Sequence, residues 1–391
     1  MSTSIFTQRP TMFTSYFNET HDEARRNIRR FVDRHIKPNI NEWEEAGTFP
    51  REIYNLAGEA GILGIGYPEA LGGNCEGDVF MALVATEELL GAGSGGLFSS
   101  LMSHGIALPP IAKWGSAEMK QRIVPSVLRG EKIIALAVTE PGGGSDVANL
   151  KTKAVDCGDH YKVSGSKTYI TSGIRADYYT VAVRTGGEGY GGVSMLLLEK
   201  GMPGFTTGQP LKKMGWWCSD TAELFFDNVV VPKSNLIGME NAGFLMIMNN
   251  FESERLGLAC YANTLSELAF NEALNYAKNR VTFGKPLSKH QVIRHKLSDM
   301  ATRLEASREF TYRVGAKMQA GIPALKEVSM AKNFATETSD FITYEAVQIF
   351  GGMGYMRESL VERLYRDNRI ASIGGGTYEI MNEIISKQIG L

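Results

Sequence analysis

Cysteine is scarce in this chain. Its 391 residues hold four, Cys75, Cys157, Cys218 and Cys260, set far apart with no CxxC pair. That spacing suggests neither a zinc site nor a disulfide framework, and it fits a reduced, intracellular protein. Excess charge is missing too: 41 basic residues against 43 acidic ones leave −2. Bulk electrostatics therefore give no reason to expect nucleic acid or an acidic membrane as a partner. A local basic patch for a phosphorylated small ligand remains compatible with that total. No stretch approaches the ~18 consecutive apolar residues that span a bilayer. The start, MSTSIFTQRPTMFTSYFNETHDE, has no charged opening or apolar core of a secretory signal and only one arginine before Arg25. Residues 1–14 read as a loose tail on a cytoplasmic protein.

What is present is ordinary globular composition, 43% hydrophobic and 21% charged, which excludes a disordered or fibrous chain. At roughly 150 residues per domain the length allows two or three domains. The texture changes twice. Over 15–130 the pattern is helical: Ile28, Phe31, Val32, His35 and Ile36 recur at spacings of three and four, and Ala85 to Leu90 and Ala117 to Leu128 look like further amphipathic helices. Over 131–240 short β-rich runs take over, among them IIALAV, HYKVSGSKTYIT and VSMLLLE, separated by turn residues at intervals typical of an antiparallel barrel or sandwich. Over 241–391 the chain is helical again, with about four long helices, enough for a bundle. The expectation is an α+β multidomain protein in α–β–α order.

Two glycine patterns resemble nucleotide loops and fail. Gly187 to Gly192 matches GxGxxG but sits between two β runs, not between a strand and a helix. Gly165-Ser-Lys-Thr has the wrong spacing for a P-loop. The segment Leu136 to Asp146, LAVTEPGGGSD, is more informative: a strand runs into a proline and three glycines that let backbone N–H groups approach a ligand, with Thr139 and Ser145 adding hydroxyls. An elaborate turn and a ligand loop explain it equally. Further on, alternation places Tyr169 and Thr171 on one strand face, an arrangement that suits an aromatic cofactor ring and is also common on exposed sheets.

VTEPGGGSD, GSKTYITSG, RVTFGKPLSKHQ, QIFGGMGY and YRDNRI followed by GGGTYEI together resemble the signatures of the acyl-CoA dehydrogenases, in order and over about residues 15–391. The resemblance implies an FAD flavoprotein with an N-terminal helical domain, a middle β-barrel and a C-terminal four-helix bundle, as a homotetramer. It implies that Leu136, Val138, Thr139 and Ser145 lie along the flavin, Ser145 also near the acyl-CoA, and that Tyr169 and Thr171 border its ring. Many relatives have tryptophan where Tyr169 stands. Arg280, Phe283, Gln291, Gln348 and Gly352 would reach the FAD of a neighbouring subunit, and Thr377 and Glu379 would touch the cofactor near the chain's end. Arg280 offers a fixed fork of donors to a pyrophosphate, though a solvated helix-end arginine would look the same.

The catalytic base needs separate treatment. In most short- and medium-chain relatives a glutamate directly precedes the Gly-Thr of the last motif; here that position is Gly375. On the helix beginning near Asn241, Ile247, Phe251, Leu258, Ala262, Leu265 and Ala269 mark an apolar face, and Glu254 falls on it. Its neighbours at three and four residues carry no positive charge, and Arg255 projects about 100° around the helix. A distant ion pair or a ligand explains such a glutamate. The long-chain and isovaleryl-type dehydrogenases, and citronellyl-CoA-type enzymes of bacterial branched-chain degradation, resemble this arrangement: Glu-Arg-Leu on the helix with a small residue at the C-terminal position. That implies Glu254 as base, Phe251, Glu252, Arg255 and Gly375 near the substrate, and electron-transfer flavoprotein as acceptor. An FAD- and acyl-CoA-binding protein without a base, and an acyl-CoA oxidase, are the alternatives.

Overall fold

A computed structural model describes residues 16–391; the tail expected over 1–14 lies outside the described residues. The first helices are α1 (Glu19–Phe31), α2 (Ile40–Ala46), α3 (Glu52–Glu59), α4 (Val79–Leu90), α5 (Gly95–Leu101), α6 (His104–Ala107), α7 (Pro109–Trp114) and α8 (Ala117–Leu128). Then come β1 (Ile134–Ala137), β2 (Lys153–Asp156), β3 (His160–Thr171), β4 (Tyr178–Arg184), β5 (Val193–Glu199), β6 (Phe205–Thr207), β7 (Thr221–Pro232) and β8 (Leu236–Ile237). The remainder is α9 (Gly243–Asn279), a hairpin of β9 (Val281–Thr282) and β10 (Lys285–Pro286), α10 (Gln291–Gln319), α11 (Leu325–Phe350), α12 (Leu360–Asn368) and α13 (Tyr378–Gln388). The α–β–α order read from hydrophobic periodicity is the order observed.

The chain forms two compact units, each assembled from separate stretches: 39–77 with 96–254, and 16–38 with 78–95 and 255–391. In the first, the strands run β6-β7-β3-β2-β4-β5-β8, with β1 also beside β4. The sequence pattern foresaw antiparallel pairing. Most ladders are antiparallel, but β1 lies parallel to β4 at Tyr178–Val181 and β2 is parallel to it at Arg184. Both strands meet the same edge of β4 in succession, so the chain leaves that edge after Ala137 and returns at Lys153, throwing residues 138–152 out as a loop. The apolar run of β5 is continuous because the strand is buried along almost its whole length, with Met195 and Leu197 in one cluster with Ile123 and Val127 of α8. Each such fully buried aliphatic side chain contributes roughly 1.5–3 kcal/mol.

The second unit is helical. Its core joins Phe80 and Leu83 of α4, Leu256 and Ala259 of α9, Tyr312 of α10 and Val328 and Ala331 of α11. The helix α11 packs against α10, α12 and α13. The expected apolar stripe on α9 proves too narrow a description: Ala259 through Ser266 are all buried, including Asn263 and Thr264. A helix enclosed by neighbours buries its whole circumference, so periodicity there no longer marks a single face.

Candidate active site

The 138–152 loop is built on a tight turn. Glu140 N–H donates to Gly143 O at 3.3 Å and Gly143 N–H returns the bond at 3.0 Å. Residues 141–146 are exposed, Ser145 among them, and a Cβ on Gly142 or Gly143 would meet nothing within 4 Å, so the glycine edge faces open space. The base of the loop is the opposite. Glu140 is buried and accepts from the N–H groups of Lys151 (2.6 Å) and Thr152 (2.9 Å). The Lys167 ammonium, 0% exposed, donates to Glu140 Oε1 at 2.8 Å and Val138 O at 2.9 Å. Burial pushes Lys167 down to about 8 against the attraction of Glu140. Burial alone would raise the Glu140 carboxyl, but the Lys167 charge and the hydrogen bonds hold it below its ordinary value.

The neighbouring stretch of β3 carries a register shift against β7 between Lys167 and Ile170. Tyr169 sits in that bulge with φ 59° and is 70% exposed, while Thr171 is half-buried. Alternation missed the bulge. A non-glycine residue held in the left-handed region costs about 1–2 kcal/mol and is worth explaining at a site. Thr168 N–H donates to Thr139 O at 2.9 Å, which brings the loop and the bulge together. Val138 is buried in the apolar cluster, and the half-buried Leu136 packs against it. An open glycine edge, the hydroxyls of Thr139 and Ser145 and an exposed aromatic suit a flat ring with polar edges.

In the helical unit a second glycine turn stands before α13. Gly375 (φ 64°) and Gly376 (φ 95°) are both left-handed, where side chains are strained. Lys332 of α11, 0% exposed, donates to Gly376 O, and Arg255 of α9 approaches Gly375 O with its Nε at 3.5 Å. Arg255 is 3% exposed, so it faces this turn and not solvent. Thr377 caps α13 through Ile380 N–H at 3.3 Å. Its neighbour Glu379 is exposed, and its own backbone N–H and the Thr377 hydroxyl hold its carboxyl below the ordinary value. In the sheet-bearing unit, whose last residue is Glu254, that glutamate is half-buried on α9 with its Oε2 enclosed, and Phe251 and Glu252 just before it are also half-buried.

Arg280, Phe283, Gln291, Gln348 and Gly352 are all exposed on this unit. Phe283 and Gly284, φ 49° and 76°, form the tip of the β9–β10 hairpin, the backbone of a two-residue turn with both central residues left-handed. The Phe283 ring is 95% exposed. The GxGxxG look-alike connects β4 and β5, and Gly165-Ser-Lys-Thr lies inside β3. Sequence reasoning passed over Lys167, Glu140 and Lys332. Lys167 shares strand parity with buried Tyr161 and Val163, and Lys332 follows Val328 by four, so a cation on an inward position was the available signal.

Among the described residues no helix is long and apolar enough to cross a membrane. Family models for the acyl-CoA dehydrogenase N-terminal, middle and C-terminal domains match residues 18–131, 135–229 and 241–390. An acyl-CoA dehydrogenase of Bacillus subtilis is 39% identical over 368 residues, 93% of this chain and 96% of that protein. The mitochondrial long-chain specific acyl-CoA dehydrogenase of Sus scrofa is 39% identical over 376 residues, 95% of this chain and 87% of that protein. Another relative is named for short-chain acyl-CoA. A solved structure of a probable acyl-CoA dehydrogenase from Mycobacterium abscessus superposes with a TM-score of 0.94 at 51% identity, covering 96% of this chain and 100% of that one. The chain belongs to the acyl-CoA dehydrogenase family, FAD-dependent flavoproteins whose helical, β and helical domains it carries in the same order.

Proposed function

We propose that this protein dehydrogenates a long-chain or branched-chain acyl-CoA thioester to its trans-2-enoyl-CoA, with Glu254 as the base. One observation carries the reading: Gly375 offers no side chain where a base could stand, while α9 carries at Glu254 a carboxylate with an enclosed oxygen. The α-proton goes to the Glu254 carboxylate, and the bond electrons it leaves behind form the new double bond as the β-hydrogen departs with its own pair. FAD, when bound, supplies the acceptor for that hydride.

The chain's other residues bind and orient. Arg255 and Lys332 take the carbonyls of Gly375 and Gly376, and because trans peptides oppose C=O and the following N–H, the N–H groups of Gly376 and Thr377 point the other way. Backbone N–H donors in this turn would polarise the thioester carbonyl as it becomes enolate-like. Leu136, Val138, Thr139, Ser145, Tyr169 and Thr171 would line the flavin of their own chain, Thr377 and Glu379 would touch the cofactor near the chain's end, and Phe251 and Glu252 would border the acyl-CoA. Arg280, Phe283, Gln291, Gln348 and Gly352 would serve a neighbour's flavin in a homotetramer, a role supported by their exposure. The absence of a side chain at Gly375 leaves volume for a methyl branch at C3 or a long chain. Electron-transfer flavoprotein is the proposed acceptor, and 15–130, 131–240 and 241–391 are the proposed domain limits.

Anaerobic titration with straight-chain acyl-CoAs, isovaleryl-CoA and citronellyl-CoA, followed by the oxidised-flavin absorbance, tests this. Bleaching by long or branched substrates, lost in Glu254→Gln with FAD retained, is expected. Full bleaching in Glu254→Gln would remove Glu254 as base; acyl-CoA binding without any bleaching in the unaltered protein would favour a binding protein instead.

A further inference from the structure

We infer that Lys167 is a positioning residue for the reaction: with Glu140 it forms a buried ionic staple that fixes the backbone of Val138 and Thr139, and so the ligand-facing edge of the 138–152 loop. This rests on the flavin reading above.

The loop has little rigidity of its own. Residues 141–146 are exposed, three of them are glycines, and an ordered glycine loses more conformational freedom than any other residue. Order comes from its flanks: Arg184 of β4 donates to Leu150 O at 2.8 Å and Ala148 O at 2.6 Å, and three successive residues of β3 grip the base of the loop. Ser166 O accepts from Thr152 Oγ1 at 3.2 Å, Lys167 Nζ holds Val138 O at 2.9 Å, and Thr168 N–H holds Thr139 O at 2.9 Å. Glu140 joins the two ends: its carboxylate takes the N–H groups of Lys151 and Thr152 at the exit while the Lys167 ammonium holds it at the entrance. With Val138 C=O turned to Lys167, peptide planarity sends Thr139 N–H to the opposite side. The bulge that exposes Tyr169 begins at the residue after Lys167, so one side chain fixes the approach to both proposed flavin surfaces.

A charge pair is a poor choice for stability alone. Buried ion pairs are often matched or bettered by apolar replacements, whereas a lone buried charge left by removing one partner is strongly unfavourable. A directional pair does supply what an apolar plug cannot: one fixed orientation for a carbonyl and a carboxylate.

The test uses purified holoenzyme with Lys167→Met, Lys167→Arg and the double variant Lys167→Met with Glu140→Gln, which leaves no charge buried alone. Melting temperature, FAD dissociation constant, the visible flavin spectrum, and kcat and KM at saturating FAD are measured. Lys167→Met should weaken FAD binding, alter the flavin band shape and lower kcat about 10- to 100-fold, the scale of an ångström-sized misplacement, with KM for acyl-CoA little changed. Lys167→Arg should restore part of kcat. If Lys167→Met does not fold, the double variant should show the same losses. A lower melting temperature with wild-type kcat and flavin spectrum in the folded variant would overturn the inference and leave the flavin reading standing. Failure of the unaltered protein to bind FAD would overturn both.

Discussion

The Lys332 ammonium, buried within the helical unit, donates a hydrogen bond to the carbonyl of Gly376. Asn333, the next residue on α11, holds Tyr378 O and Asn382 Oδ1, each at 3.0 Å, so one turn of α11 supports both the glycine turn and the start of α13. Lys332→Met keeps the stem's volume but leaves a carbonyl without its donor, a loss of about 1–3 kcal/mol. The expected outcome is a folded protein with a lower melting temperature and a kcat reduced about tenfold or more, because the Thr377 N–H, in the same peptide as Gly376 O, loses its orientation. Thermal melts and steady-state kinetics check it; an unchanged kcat would show that the turn is held adequately by Arg255.

Gly375 separates two effects that a single substitution would confuse. At φ 64° any side chain is strained, so Gly375→Ala should cost about 1–2 kcal/mol whatever the substrate. Gly375→Glu adds the same strain plus bulk. Activity on straight-chain and on 3-methyl-branched acyl-CoAs should fall together in Gly375→Ala. In Gly375→Glu the branched substrates should fall much further. Equal losses on both substrate classes in Gly375→Glu would count against the idea that this position makes room for the branch.

Phe283 allows a prediction of opposite signs. Its ring is 95% exposed and its φ is 49°, so within one chain it contributes strain and almost no packing. Phe283→Gly should therefore leave the isolated chain as stable or more stable by up to about 1 kcal/mol. If the ring serves a neighbouring subunit's flavin, the same change should weaken FAD retention and assembly. Sedimentation and flavin content, measured beside chemical denaturation, distinguish the two; unchanged assembly and flavin content would confine Phe283 to a surface turn.

The layout of elements was legible because hydrophobic period carries it directly. Ala117–Leu128, His160–Thr171 and Val193–Glu199 have in the structure the limits that their patterns suggest. Glycine-rich breaks likewise marked the loops that carry the candidate site. Pairing was less legible: the parallel ladder of β1 with β4 depends on where a long loop leaves and returns, and period alone holds no information on that. The bulge at Tyr169 is invisible to strict alternation for the same reason. Lys167, Glu140 and Lys332 were missed because charged residues are assigned to the surface unless a partner is known: Lys167 and Glu140 pair with each other across 27 residues of chain, and their remaining partners, like the Gly376 carbonyl that Lys332 holds, are backbone groups that no sequence displays.

His104 should make the fold less stable in acid. It is fully enclosed in the sheet-bearing unit, its Nε2 lies 2.9 Å from Leu63 O, and the Tyr67 hydroxyl donates to its carbonyl at 3.0 Å. Burial pushes the imidazole down to about 4, more than the bonds to the Leu63 and Leu101 carbonyls raise it. The folded protein thus keeps His104 neutral between pH 4 and its ordinary value near 6.5, while the unfolded chain protonates it there. Unfolded protein binds more protons in that window, so stability rises with pH across it and is lost as pH falls from about 6.5 towards 4. The full difference corresponds to about 3 kcal/mol. Urea unfolding at pH 7 and pH 5 should show this loss. In His104→Gln, which keeps a donor for Leu63 O without a titrating ring, the slope between the two pH values should become shallower. An identical slope would assign the acid sensitivity to other groups.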